Sequence, residues 1–120
     1  MPRPSVTIYG IPNCDTMKKA RSWLEQHEIA YAFHDYKKDG IARDKLEGWC
    51  REVGLEALLN KAGTTFRKLT DAEKADLNQK KAVALMLAQP SLIKRPVLEI
   101  GKQRPLIGFK PDVYAEAFKR

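Results

Sequence analysis

An α/β fold is what this 120-residue sequence predicts, and three observations predict it. Residues 6–36 read as strand, helix and strand, residues 43–88 carry helical signals without strand signals, and residues 97–119 read as two short strands and a helix. The order is therefore βαβ, a helical insertion of about 41–90, then ββα, within a single domain of 1–120.

Val6-Thr7-Ile8-Tyr9 is β-branched and aromatic, so the first strand opens there, and Gly10-Ile11-Pro12-Asn13 is a cluster of breakers that ends it. From Asp15 to Gln26 apolar residues return at helical spacing as Met17, Ala20 and Leu24. Cys14 then sits at the mouth of a helix. Unpaired backbone N–H groups and the positive end of the helix dipole favour a thiolate at that point. Lys18, one turn on, is expected to aim its ammonium at the same end, with Asp15 acting the other way. A cysteine so placed is a candidate nucleophile.

Ile29 to Tyr36 alternates as a second strand, and strand, helix and strand within about 30 residues predict a parallel pair. His34 on that strand is read as a hydrogen-bonded structural residue, and His27 as a surface residue compatible with the helix dipole. Lys37-Lys38-Asp39-Gly40 reads as a turn. Arg43 to Val53 follows as a helix whose stripe is Leu46, Trp49, Cys50 and Val53, so Cys50 reads as a small buried hydrophobe. Gly54 ends it, and Leu55 to Lys61 makes a short helix that Gly63 closes.

Thr64 to Leu69 reads as a connector. Thr70-Asp71-Ala72-Glu73 has the form of a capping box, and Asn78 is a cap for a helix from about Gln79 to Ala88 that stops before Pro90. Val97 to Ile100 and Pro105 to Phe109, around Gly101-Lys102-Gln103-Arg104, predict a β-hairpin. Pro111 fits the first position of a last helix ending near Lys119, with Asp112 complementing its dipole.

Composition narrows the function classes. A formal charge of +7 with 43% hydrophobic and 31% charged residues suits a soluble globular chain. The longest apolar run, Ala82 to Ala88, is too short to span a bilayer, and Met1-Pro2-Arg3-Pro4-Ser5 lacks the apolar region of a signal peptide. A cytoplasmic location is expected, away from membranes. Two cysteines outside any close motif argue for reduced thiols rather than a disulfide framework. The basic pairs Lys18-Lys19, Lys37-Lys38, Lys80-Lys81, Lys94-Arg95 and Lys119-Arg120 are scattered, mostly among acids, and Trp23 and Trp49 fall on helices, so direct nucleic-acid binding is not expected. No Cys/His cluster has zinc spacing, so no metal is expected either.

Ile8-Tyr9-Gly10-Ile11-Pro12-Asn13-Cys14-Asp15-Thr16, taken with Leu92-Ile93-Lys94-Arg95-Pro96-Val97-Leu98, resembles the arsenate reductase (ArsC)/Spx family. Within it, Cys14-Asp15-Thr16-Met17-Lys18-Lys19-Ala20 and Gly63-Thr64-Thr65-Phe66-Arg67-Lys68-Leu69 resemble the YffB-type members. The resemblance implies a thioredoxin-like fold, a mixed four-stranded sheet with the helical insertion between its second and third strands. It also implies catalytic roles for Cys14 as nucleophilic thiolate and for Arg95 as an anion-binding residue beside it, with Pro96 as the cis-proline of such folds. Asn13, Lys18, Arg67, Pro96 and Lys110 are the residues it implies for binding substrate or glutathione. The chemistry agrees, because a guanidinium near a helix N-terminus lowers a thiol pKa and holds carboxylates or oxyanions bidentately.

The sequence departs from the arsenate-reducing members, which surround the cysteine with three arginines. Arg95 keeps one of those places, whereas Asn60 and Lys110 stand at the others, and Arg67 either substitutes from the connector or is a solvated charge. Met17 stands where a Cys-x-x-Cys protein has its resolving thiol, so an outside thiol must resolve whatever forms on Cys14. Glutathione is the expected co-substrate, with no bound cofactor. Its carboxylates would meet Lys18, Arg95, Lys110 and the helix N-termini at Cys14 and Pro111.

The expected activity is that of a glutathione-dependent thiol reductase with a single nucleophilic cysteine, a monomer acting on a small-molecule or protein thiol substrate. Two alternatives stand beside it: a glutaredoxin-coupled arsenate reductase, and a non-enzymatic regulator that binds RNA polymerase as Spx-type relatives do.

Overall fold

Four strands make one mixed sheet in the order β2-β1-β3-β4 in the computed structural model, which describes residues 5–119. The leader reading of residues 1–4 and the last residue of the terminal basic pair, Arg120, lie outside that range. Strand β1 (Val6–Gly10) runs parallel to β2 (Ala32–Asp35) and antiparallel to β3 (Val97–Ile100), which pairs antiparallel with β4 (Leu106–Ile107). Helix α1 (Asp15–Gln26) joins β1 to β2. Between β2 and β3 come α2 (Tyr36–Asp39), α3 (Arg43–Val53), α4 (Leu55–Leu58), α5 (Thr64–Arg67), α6 (Asp71–Lys74), α7 (Gln79–Ala88) and a 3-10 turn at Pro90–Leu92; α8 (Pro111–Phe118) follows β4. This is a thioredoxin-like α/β fold. The described residues form two compact units, one from 5–35 and 95–119, the other from 36–94.

In the first unit, alternation along the strands sends Val6, Ile8, Leu98 and Ile100 to one face, where Met17, Ala20 and Leu24 of α1 and Tyr114 of α8 cover them. Each fully buried side chain of this kind contributes roughly 1.5–3 kcal/mol, which is enough to lock α1 against the sheet. Trp23, Phe109 and Phe118 pack around that centre. On the opposite face, the Tyr9 hydroxyl donates to Glu99 Oε1 at 2.7 Å, and its ring lies 5.0 Å from that of His34, its neighbour in register. Burial, then the Glu99 hydrogen bond and charge, push the Tyr9 phenol well above its ordinary pKa.

The second unit buries Leu46, Trp49 and Cys50 of the predicted α3 stripe, whose fourth member Val53 is only half-buried, together with Ala82, Val83 and Met86 of α7. Both predicted caps are present. Thr70 Oγ1 accepts from the Glu73 amide at 3.1 Å while Glu73 Oε1 accepts from the Thr70 amide at 2.8 Å, and Asn78 Oδ1 accepts from the Lys81 amide at 2.8 Å.

Four local readings are corrected. The second strand starts at Ala32 and not at Ile29, because α1 exits through Glu28 at φ +57° with the Ile29 amide bonded to Leu24 O at 2.9 Å. It ends at Asp35, and the expected turn is a one-turn helix starting at buried Tyr36 and closed by Gly40, whose φ of +67° suits glycine. Helix α4 stops at Leu58 instead of Lys61, since the chain from Leu58 to Asn60 turns to pair with residues 92–94: Asn60 N donates to Leu92 O at 2.7 Å and Lys94 N to Leu58 O at 2.8 Å. Gly63 opens α5 rather than closing a helix, so the supposed connector is helical over Thr64–Arg67.

Gly10 ends β1 where the Met17 thioether crosses it, and a Cβ there would collide with Met17 Sδ and Cε. Met17 is fully buried and has little room to retreat. Gly10→Ala is therefore expected to lose about 1–3 kcal/mol of stability. Urea unfolding of the two proteins measures it as a lower midpoint at unchanged slope.

Candidate active site

Cys14 is the N-cap residue of α1, with extended backbone at φ −134° and ψ 127°. The sequence produces this directly. The breaker cluster stops β1, the Met17, Ala20 and Leu24 face anchors the helix, and the residue before Asp15 is left at the helix mouth. Cys14 is half-buried and packs on the core of its unit.

Arg95 reaches the same point from elsewhere in the sequence. The register Tyr9↔Val97 sets the start of β3 beside the end of β1, and Arg95 precedes that start by two residues. The Arg95-Pro96 bond is cis, and the Pro96 carbonyl accepts the Gly108 amide at 2.8 Å, tying this corner to the end of β4. Burial pushes the Cys14 thiol up, but the Met17 amide, a hydrogen bond from Arg95, the Thr16 amide and the Arg95 charge outweigh it. The net direction is downward, toward thiolate. Met17 thus serves the site through its main-chain N–H while its side chain belongs to the core.

The other residues singled out from sequence divide by unit. Asn13 is exposed in the bend before Cys14. Lys18 is exposed on α1, where it lines a cleft with Lys19, Ser22, Trp23, Gln26 and Phe109; the positive charge acting on the sulfur is that of Arg95. Lys110 is exposed at the N-cap of α8. Asn60 and Arg67 belong to the second unit. Asn60 places its side-chain amide against Gly63, and Arg67 is exposed at the end of α5, its carbonyl accepting from Lys74 Nζ at 3.3 Å.

Cys50 differs from Cys14 in every relevant respect. It is buried in the second unit, and desolvation followed by the Glu47 charge pushes its thiol up against the opposing pull of Arg51. His27, expected on the surface, is half-buried instead. Its Nδ1 lies 2.8 Å from Trp23 O and its ring stacks on Trp23 at 3.9 Å. The unpaired backbone N–H groups expected at the helix mouth are those of Thr16 and Met17. Among the described residues, no group of three His, Cys, Asp or Glu side chains could hold a metal, and no helix is long and apolar enough to cross a membrane.

Residues 9–117 match the model of the ArsC family. The solved structure of the YFFB protein superposes with a TM-score of 0.91 at 62% identity, covering 94% of this chain and 98% of that one. An arsenate reductase (ArsC) related protein from Brucella melitensis is 55% identical, with a TM-score of 0.74 over 97% of this chain and 96% of that one. The global transcriptional regulator Spx of Streptococcus pyogenes is 31% identical over 109 residues, 89% of this chain and 80% of the relative. A half-buried cysteine at a helix mouth beside an Arg-cisPro corner, on a sheet of this topology and with a match of this extent, means that the chain belongs to the ArsC family.

Proposed function

We propose that this protein is a glutathione-dependent thiol reductase in which Cys14 is the only nucleophile. The observation that carries the reading is the environment of that sulfur: two helix amides and the Arg95 guanidinium favour its anion, while Met17 fills the position of a local resolving thiol. The Cys14 thiolate attacks the glutathione sulfur of a glutathionylated substrate R′–S–S–glutathione, forming Cys14–S–S–glutathione and releasing R′–S⁻. Glutathione thiolate then attacks the glutathione sulfur of a Cys14–S–S–glutathione conjugate, which yields oxidised glutathione and restores the thiolate. The same groups that make Cys14 nucleophilic also make it a good leaving group in the second step. Asn13, Lys18, Pro96 and Lys110 are proposed to receive the glutathione carboxylates and main chain. The working location is the cytoplasm and the working form a monomer.

The 55% identity to an arsenate reductase related protein favours arsenate as the second substrate to test. Turnover in a glutaredoxin-coupled assay is expected to be low, because Asn60 and Lys110 lack the planar fork of arginine. The Spx likeness favours a regulatory reading, which co-purification with RNA polymerase subunits would support and retained thiol turnover would oppose.

Two measurements test the reductase. The rate of Cys14 alkylation against pH should rise with a midpoint below the unperturbed thiol value of about 8.5, and Arg95→Ala should move that midpoint up. A midpoint at or above the ordinary value would remove the basis of the mechanism. Intact-mass analysis after incubation with oxidised glutathione should show one conjugate in the wild type, none in Cys14→Ser, and an unaltered pattern in Cys50→Ser.

A further inference from the structure

Helix α1 carries a second face besides the one it buries. Lys18, Lys19, Ser22, Trp23 and Gln26 form a stripe along it and, with Phe109 from the loop before α8, line an open cleft of about 390 Å³. All six residues lie in the first unit. The floor is apolar and firmly backed: Trp23 meets the Tyr114 ring edge-on at 5.5 Å and Phe109 meets the same ring at 4.8 Å, while His27 stacks on Trp23 at 3.9 Å. Tyr114 itself is fully buried, so the floor is not free to fold away.

The rim has the opposite character. Lys18 and Lys19 are exposed, no acidic residue lines the cleft, and among the described residues neither ammonium has a carboxylate partner. Ser22 and Gln26 add polar groups, joined by a long Gln26 Nε2 to Ser22 Oγ contact of 3.4 Å. The cleft begins one helical turn from the reactive residue, for the Lys18 amide bonds to Cys14 O at 3.0 Å. From Lys18 to Gln26 the helix rises about 12 Å, the span of three to four extended residues.

We infer that this cleft seats an extended, acidic segment of a protein, with carboxylates at Lys18 and Lys19 and an apolar side chain on Trp23 and Phe109. The inference rests on the reductase reading in one respect: it makes that segment the flank of the oxidised cysteine presented to Cys14, so that the substrate is a protein and glutathione only the second reactant. Charge complementarity selects the acidic character, and the aromatic floor selects a partner with a large apolar side chain, which glutathione lacks.

The test uses the full chain and two synthetic glutathionylated peptides. In both the cysteine is followed by leucine; one carries aspartate and glutamate beside it, the other lysines in their place. Transfer of glutathione to Cys14 should be about fivefold or more faster from the acidic peptide. Lys19→Glu should abolish or reverse that preference while the rate with hydroxyethyl disulfide, a small uncharged substrate, stays within about twofold. Equal rates for the two peptides, or a Lys19→Glu variant slowed as much with the small disulfide, would overturn the proposal.

A second arm separates the cleft from the chemistry. The acidic peptide with serine for its cysteine is titrated into ¹⁵N-labelled Cys14→Ser protein. Shifts confined to Lys19, Ser22, Gln26 and the Trp23 indole support the docking surface, and their absence overturns it. If no disulfide reacts with Cys14 at all, the reductase reading fails, and the titration alone decides for or against the cleft.

Discussion

The burial of the Met17, Ala20 and Leu24 face of α1 against β1 and β3 is the constraint on which the placement of Cys14 depends. A helix held along its length has a fixed first turn, and a fixed first turn aims its unpaired amides at one point in space. Cys14 occupies that point. The contact between Met17 and Gly10 is a close one, because only a residue without a Cβ lets the thioether cross the end of β1. Desolvation on its own would make such a sulfur inert. The two amides and the guanidinium turn the shift of its pKa downward, and each of them is placed by the sheet or by the helix it supports.

Much of this was legible in the chain. Apolar spacing marked the inner face of α1, and the breakers before Asp15 marked where it starts, so the position of Cys14 followed from local pattern alone. Arg95 did not follow in that way. Nothing local ties residue 95 to residue 14, and only the family likeness named it. The structure supplies the reason in the antiparallel register of β1 and β3, which brings the entrance of one strand beside the exit of the other.

The local misreadings have a common cause, which is that partners distant in sequence decide short segments. Ile29 to Tyr31 alternates like a strand, yet those residues are spent on leaving α1. Leu59 looks helical by pattern, but a bridge to Ile93 claims it. Thr64–Arg67 and Tyr36–Asp39 are single turns, too short for periodicity to register. The caps of α6 and α7, by contrast, are chemistry between residues three apart, and they were readable as such.

The sealing of Cys50 among the buried residues of α3 reaches beyond packing. A chain with one open sulfur, and methionine where its nearest companion would stand, has no second thiol at that helix mouth with which to close a disulfide of its own. On the reductase reading proposed above, the second sulfur must come from outside the chain, so the composition of the surrounding thiol pool, rather than any setting of the fold, would fix the direction in which such a molecule runs.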